Sequence, residues 1–342
     1  MNKIVKTFLL SLFVLGIALP ESRAANDSIS YIPEVHGVLR VRWEMETESG
    51  YGHFQVRNAR VSLGGMVAPI LSYKFNVDLC DRGKILLLDA YATITPAKGF
   101  DILAGQYRMP FGIESFRGPG AYYFNNRSFI GKFLNNYRAV GVSVSYTLPK
   151  APVTFEAGVF NPTVTDDQMT WVKKYAYAGR VMYKPSGFVV ATGFESIIPW
   201  ETRINLASAT LGWGSDRFYV EGEYMARWYT CKTHKTTHGY NIFANYALPV
   251  KVGVFDTWSV QARFEGMTDL ASGTKTDEEF AGVLPTTAPG RKRLTVGSTL
   301  DYKYKWIRAA LRLNYEKCWY ENGVSAPLGA GDMVSAELIV KF

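Results

Sequence analysis

The sequence predicts an all-β protein, a transmembrane antiparallel β-barrel of about sixteen strands, and three observations carry that prediction. Apolar and polar residues alternate with a period of two along most of the chain. The alternating segments run to about ten to twelve residues, nearly twice the length usual in a globular sheet. Aromatic residues, 14% of the 342, gather at the ends of these segments. A soluble sandwich also alternates, but its core has no reason to sort rings to strand ends. A ring with an apolar body and a polar edge belongs at a membrane interface.

The first element is an address. "MNKIVKTFLLSLFVLGIALPESRAAND" places Lys3 and Lys6 before an apolar stretch ending at Leu19, followed by Pro20 and the small residues Ser22 and Ala24. This predicts a secretory signal peptide, 1–24, cleaved after Ala24, and a single barrel domain, 25–342. No later apolar run is long enough for a membrane helix; the longest is "ILLL" at 85–88. No segment of the mature chain shows a helical period.

The strands follow in order. "GVLRVRWEMET" sets Leu39, Val41, Trp43 and Met45 on one face and Arg40, Arg42, Glu44 and Glu46 on the other. "SYKFNVDLC" opposes Tyr73, Phe75, Val77 and Leu79 to Lys74, Asn76, Asp78 and Cys80. "YVEGEYMARWY" opposes Val220, Tyr224, Ala226 and Trp228 to Glu221, Glu223 and Arg227. "WIRAALRLNYEK" opposes Ile307, Ala309, Leu311, Leu313 and Tyr315 to Arg308, Arg312, Asn314 and Glu316. Tight joins near Pro149, Pro185 and Gly214 follow even-numbered strands, and longer ones, including 110–136 and 268–289, follow odd strands. Short turns on one side and long loops on the other are the habit of outer-membrane barrels. Tyr73, Tyr146, Tyr183, Tyr246, Trp258, Tyr302, Trp306 and Phe342 would form the girdle at the short turns. Trp43, Tyr107, Tyr175, Trp228 and Tyr315 would form the one at the loops.

The last element explains the rest. "AELIVKF" alternates to its final residue, and a bilayer tolerates no open sheet edge, so this strand must close on the first. Its terminal Phe342 resembles the signal by which the barrel-assembly machinery recognises its clients. Leu338, expected on the lipid face, should not tolerate arginine, whereas inward Ser335 should.

Composition bounds the chemistry. Formal net charge is +8, and cleavage after Ala24 would remove Lys3, Lys6 and Arg23 against Glu21, leaving about +6. Cys80, Cys231 and Cys318 contain no Cys-x-x-Cys pair, and their odd number leaves at least one thiol unpaired. His234 and His238 flank a strand start and make a poor metal site, and no histidine stands beside a nucleophile motif. No enzyme, metal, cofactor or nucleic-acid partner is expected.

Several segments resemble the phosphate-selective porin O and P family: "VRNARVSLGG", "LLDAYATI", "AGQYRMPFGIES", "RAVGVSVSY", "EGEYM" and "RLNYEK", in order along the chain. "GQYRMPF" is the most specific of them. The resemblance implies a sixteen-stranded, trimeric outer-membrane porin of a Gram-negative bacterium, with the third long loop folded into the lumen. It leaves the solute open, because the arginines that select phosphate in that family have no residue-by-residue match here.

On this reading small anions, phosphate or other oxyanions, cross a constriction built by 112–136, and the stretch 110–138 sets Arg117, Arg127, Lys132 and Arg138 against Glu114 alone. Arg40, Arg42, Arg60, Lys74, Arg308 and Arg312 would line the wall, and with Lys341 they fall on strands that become neighbours on closure. Glu156, Glu221, Glu223 and Glu265 lie on other strands, which predicts separated bands of opposite charge. Two alternatives stay open: a general, weakly selective porin whose arginines only brace the loop, and a plugged surface-binding or structural barrel.

Overall fold

The computed structural model describes residues 31–342 except 136, 163–167, 170, 200–201, 231–233 and 272–285. The expected signal peptide and Cys231 therefore lie outside the described residues. Eighteen strands are present: β1 Glu34–Glu46, β2 Gly52–Ala68, β3 Leu71–Asp81, β4 Lys84–Ala97, β5 Phe100–Arg108, β6 Arg138–Thr147, β7 Val153–Phe160, β8 Ala176–Tyr183 and β9 Phe188–Ile197. The second half holds β10 Ile204–Gly214, β11 Phe218–Tyr229, β12 Thr237–Leu248, β13 Thr257–Met267, β14 Leu270–Ala271, β15 Thr286–Ala288, β16 Arg291–Tyr304, β17 Ile307–Tyr320 and β18 Met333–Lys341. All but the β14–β15 pair, sixteen strands, form one closed barrel.

Closure falls where the terminal alternation demanded it. β18 pairs antiparallel with β1, placing Leu39 opposite Val340, Val41 opposite Leu338 and Trp43 opposite Ala336. The seam continues past the last strand residue, because Gly37 N donates to Phe342 O at 2.8 Å and Phe342 N returns to Gly37 O at 3.1 Å. A Cβ on Gly37 would overlap the Phe342 ring, which also packs edge-on against Trp306 at 6.4 Å. A glycine at this point lets the terminal ring lie flat on the seam.

Apolar side chains face outward around the barrel. Leu39, Val61, Phe75, Val142, Phe155, Val181, Phe194, Leu211, Ile242, Phe264, Val296, Leu313 and Leu338 are all exposed. A continuous apolar belt on the outside inverts the pattern of a soluble protein and is what a hydrocarbon solvent selects. Arg40, Arg42, Asp78, Glu221, Glu223, Arg227, Arg312, Glu316 and Glu337 point the other way and are buried within the barrel.

The structure corrects several details. The barrel strands range from 8 to 17 residues. β3 and β4, although they follow the odd-numbered side, join by a tight turn in which Arg82 and Gly83 have φ 54° and 87°. Tyr107 is not in the outer girdle. It is buried inside, its hydroxyl donating to Ser143 Oγ at 2.7 Å and its ring 5.3 Å from Tyr91, because the inward positions of β5 near its end fall on Leu103, Gly105 and Tyr107. A short helical turn, Ile130–Leu134, breaks the all-strand expectation. Ser335 does face inward, but it is fully buried and accepts a 2.8 Å hydrogen bond from Asn125, so it has no room for arginine.

Candidate functional site

The described part of the connection between β5 and β6, residues 109–135, runs inside the barrel and binds the inward side chains of strands on several sides. An irregular segment in such a place must have its own peptide groups satisfied, since neither lipid nor a regular ladder can do it. The wall does so with charged side chains. The Glu223 carboxylate accepts Ile113 N–H at 2.8 Å and Glu114 N–H at 2.9 Å, and Glu265 accepts Phe129 N–H. Arg180 donates to Gly112 O at 2.8 Å and Arg40 to Asn125 O at 2.8 Å. Arg312 donates to Tyr122 O at 2.6 Å, Arg263 to Asn126 O at 2.9 Å and Arg293 to Arg127 O at 2.7 Å. Gly112, at φ 65°, sits where a Cβ would strike Asn135, Met225 and Glu223, so only glycine allows the chain this close to the wall.

One side of the loop is dry. Phe111, Ile130 and Leu134 are fully buried and pack in one apolar cluster with Phe160, Ile197, Ile204, Leu206 and Met225 from β7 to β11. The other side is wet and charged. Between the loop and the inner faces of β1 to β8 lies a cavity of about 1020 Å³, closed off by the starts or ends of β16, β17 and β18. Its lining carries fourteen lysine and arginine side chains against five carboxylates.

All four expected constriction residues line this cavity, but they are not equally free. Arg117 is clamped by Glu114 at 2.6 Å and by Glu221, and stacks on Tyr123 and Phe243. Burial disfavours its cation, yet the Glu221 and Glu114 carboxylates overcome that penalty and raise its pKa above the ordinary arginine value. Arg127 donates to Ser115 O at 2.7 Å and lies over the Tyr122 ring, which Arg40 covers as well. Arg138 pairs with Asp89 at 2.8 Å. Lys132 has no ion pair among the described residues; its ammonium lies 4.9 Å from the Phe133 ring centre. Burial first, then the positive charges of Arg293, Arg291, Arg82 and Arg57, push its pKa down to about 8.

The expected wall residues divide similarly. Arg40 and Arg42 converge on Glu337, at 2.6 and 2.9 Å, and Arg60 on Asp78 at 3.2 Å. Lys74 lines the cavity without an ion pair among the described residues. Arg308 pairs with Asp301 and Arg312 lies beneath the loop, and neither lines the cavity. The expected bands of opposite charge are absent. Asp78, Asp301 and Glu337 stand on the same strands as the arginines, while Glu156, Glu221 and Glu265 meet Arg180, Arg117 and Arg293. Local neutralisation of buried charge outweighs long-range separation, because an unpaired ion away from water is costly.

Three cationic lining residues were missed. Arg57 reaches the cavity because the β1–β2 register shifts between Arg40 and Val41, and no sequence pattern marks such a bulge. Arg82 belongs to the tight β3–β4 turn. Arg291 could have been found, since it lies two residues before inward Arg293. Cys80 and Cys318 are free thiols. No group of histidine, cysteine and carboxylate side chains suited to a metal occurs among the described residues.

Comparison with known proteins agrees with this architecture. The family model described as phosphate-selective porin O and P matches residues 39–196. No curated protein matches the sequence. Among solved structures, the Salmonella typhi OmpF complex with daunomycin aligns at TM-score 0.63 and 13% identity, covering 91% of this chain and 97% of that one. The anion-selective porin from Comamonas acidovorans aligns at TM-score 0.60 and 12% identity, covering 91% and 98%. The trimer form of OmpT, an outer membrane protein of Vibrio cholerae, aligns at TM-score 0.59 and 10% identity, again covering 91% and 98%. The chain is thus a sixteen-stranded barrel of the porin fold that matches the phosphate-selective porin O and P family over residues 39–196.

Proposed function

We propose that this protein is an outer-membrane channel through which small anions diffuse passively, crossing the membrane beside the inward loop. The observation that carries this is the cavity wall, where cations outnumber carboxylates while many of their partners, such as Asp78, Glu221 and Glu337, lie buried behind the guanidinium groups. A passing solute therefore meets the positive ends of these pairs first, in a confined space where charge is poorly screened. Arginine suits the task because it stays charged and offers paired donors to an oxyanion. Binding must remain weak for a solute to leave again. The residues that act on the solute are Lys132, Arg127 and Arg138 at the loop, with Arg42, Arg60 and Lys74 along the wall.

A second reading, a general porin of weak selectivity, draws on the number of lining arginines already held by carboxylates, Arg117 and Arg138 among them. Reversal potential in a planar bilayer under a potassium chloride gradient separates the two. Anion selectivity supports the proposal, equal permeability supports the general porin, and absence of conductance would leave only a plugged barrel. Repetition with phosphate reads its preference directly. A homotrimer is the expected assembly, on the likeness to the trimeric Vibrio cholerae protein, and its mass in detergent checks it. The 25–342 boundary and recognition of Phe342 by the assembly machinery belong to the same reading. Mature N-terminal sequencing and outer-membrane yield after deletion of Phe342 test them.

A further inference from the structure

Two cavity cations without an ion pair among the described residues sit among rings. Arg291 is buried, its guanidinium 4.8 Å from the Phe129 ring centre, 4.5 Å from Phe133 and 5.7 Å from Tyr320. Its one side-chain hydrogen bond among the described residues is a long 3.4 Å donation to the Tyr320 hydroxyl. Among the described residues its Nε and Nη2 have no acceptor and no carboxylate lies within ion-pair distance. Lys132, beside Phe133, is likewise without an ion pair there, and Arg57 and Arg82 act on it electrostatically from the β2 and β3–β4 wall. Beyond Arg82, β4 brings Leu86 and Leu88 into the lining of the same cavity. Buried donors left open beside apolar surface describe half of a binding site whose missing half is an anion.

We propose that Lys132 and Arg291, with Phe133, Leu86 and Leu88, form a subsite for organic anions that join one carboxylate to an apolar body, such as aryl or medium-chain alkyl carboxylates. The inference rests on the channel reading above and names its solute class. A strongly hydrated inorganic anion needs a cage of polar donors on all sides, and rings and leucines supply none. A carboxylate head instead takes the open Arg291 donors and the Lys132 ammonium, while its body displaces water from Phe133 and the leucines. The lowered Lys132 pKa fits a cation that lacks its counter-ion, and occupation by a carboxylate would raise it again.

The test uses the purified full-length protein in a planar bilayer, with chloride carrying the current at pH 7. Benzoate and hexanoate should interrupt that current at concentrations about tenfold below those needed for acetate or phosphate. Lys132→Gln should weaken the benzoate block about tenfold, roughly the contribution of one desolvated charge contact. Since Arg291 lies at the start of a barrel strand, the second variant is Phe133→Ala on the loop. It should bring the benzoate and hexanoate blocks close to that of acetate in a channel that still conducts. The inference is overturned if phosphate blocks as well as benzoate does, or if the benzoate block survives both substitutions. A wild-type protein that conducts nothing would instead overturn the channel reading on which the inference rests.

Discussion

The two halves of this lumen use the same kind of wall to opposite ends. Along β9 to β11 the inward positions include Ile197, Ile204, Leu206 and Met225, and the loop residues Phe111, Ile130 and Leu134 pack on them fully buried. Along β2 to β4 the inward positions include Arg60, Lys74 and Asp89, and there the loop stands away and leaves the cavity open, whereas Arg40 and Arg42 of β1 hold the loop at Asn125. Both halves are strands of period two with apolar outer faces, so the outside of the barrel cannot tell them apart. Inner apolar area, at roughly 25 cal/mol per Å² removed from water, favours the first half, and Glu223 adds two hydrogen bonds to the loop there. The charged side chains then divide into those that hold the loop and those that face the passage.

The strongest way to break this contrast is to make the dry half wet. Ile130→Asp places a carboxylate in the apolar cluster with no cation assigned to it, at a cost of several kcal/mol. The barrel ladder does not depend on the loop, so the protein should still insert, with the loop displaced and single-channel conductance raised. Unchanged conductance would mean that the loop does not narrow the passage. Next in size is the outer face. Leu338→Arg puts a cation into lipid and should cost about 2–4 kcal/mol near the midplane, read as a lower yield of heat-modifiable barrel. Ser335→Arg, three residues away, should leave insertion intact but displace Asn125 and the loop, read as higher conductance rather than lower yield.

Most of the outside was legible in the sequence and much of the inside was not. Leu338, Val340 and Phe342 face lipid because the solvent imposes one rule on every outward position, and a period of two reveals it. The inner face obeys no single rule. Arg312 and Arg60 look alike in sequence, yet one donates to loop carbonyls and the other pairs with Asp78 and lines the cavity. What separates them is the path of an irregular segment, which alternation does not encode. Arg57 was missed because the bulge in β2 changed which residues face inward there, and one such shift redirects each residue near it. Tyr107 was given the wrong face of a strand whose ladder to β6 runs without a shift.

Charge substitution distinguishes bracing from conduction. Arg117→Glu sets a carboxylate against Glu114 and Glu221, so its main effect should be a loosened loop and raised conductance. A charge-assisted pair of this kind contributes about 1.5–3 kcal/mol. Lys132→Glu disrupts no ion pair among the described residues and should move the reversal potential toward cations with conductance nearly unchanged. If Arg117→Glu alone shifts selectivity while Lys132→Glu leaves it fixed, the assignment of bracing and conducting roles is reversed.

The smallest effect is the most specific. Lys132 has its pKa depressed to about 8, by burial and then by Arg293, Arg291, Arg82 and Arg57, which as arginines stay charged across the working range. Its ammonium is therefore present at pH 7 and lost as pH rises through about 8, so anion preference should fall between pH 7 and 9. For folding the sign is the reverse of a stabilising lysine. The folded pKa lies below the unfolded value of about 10.4, so the charged form is penalised in the native state and stability should rise with pH from about 8 to about 10.4. Lys132→Gln should hold selectivity flat across pH 7 to 9, at the level the wild type reaches at the upper end. A variant that keeps the full pH dependence would show that another group titrates in the passage. The wet half would then owe its positive charge to something other than the loop.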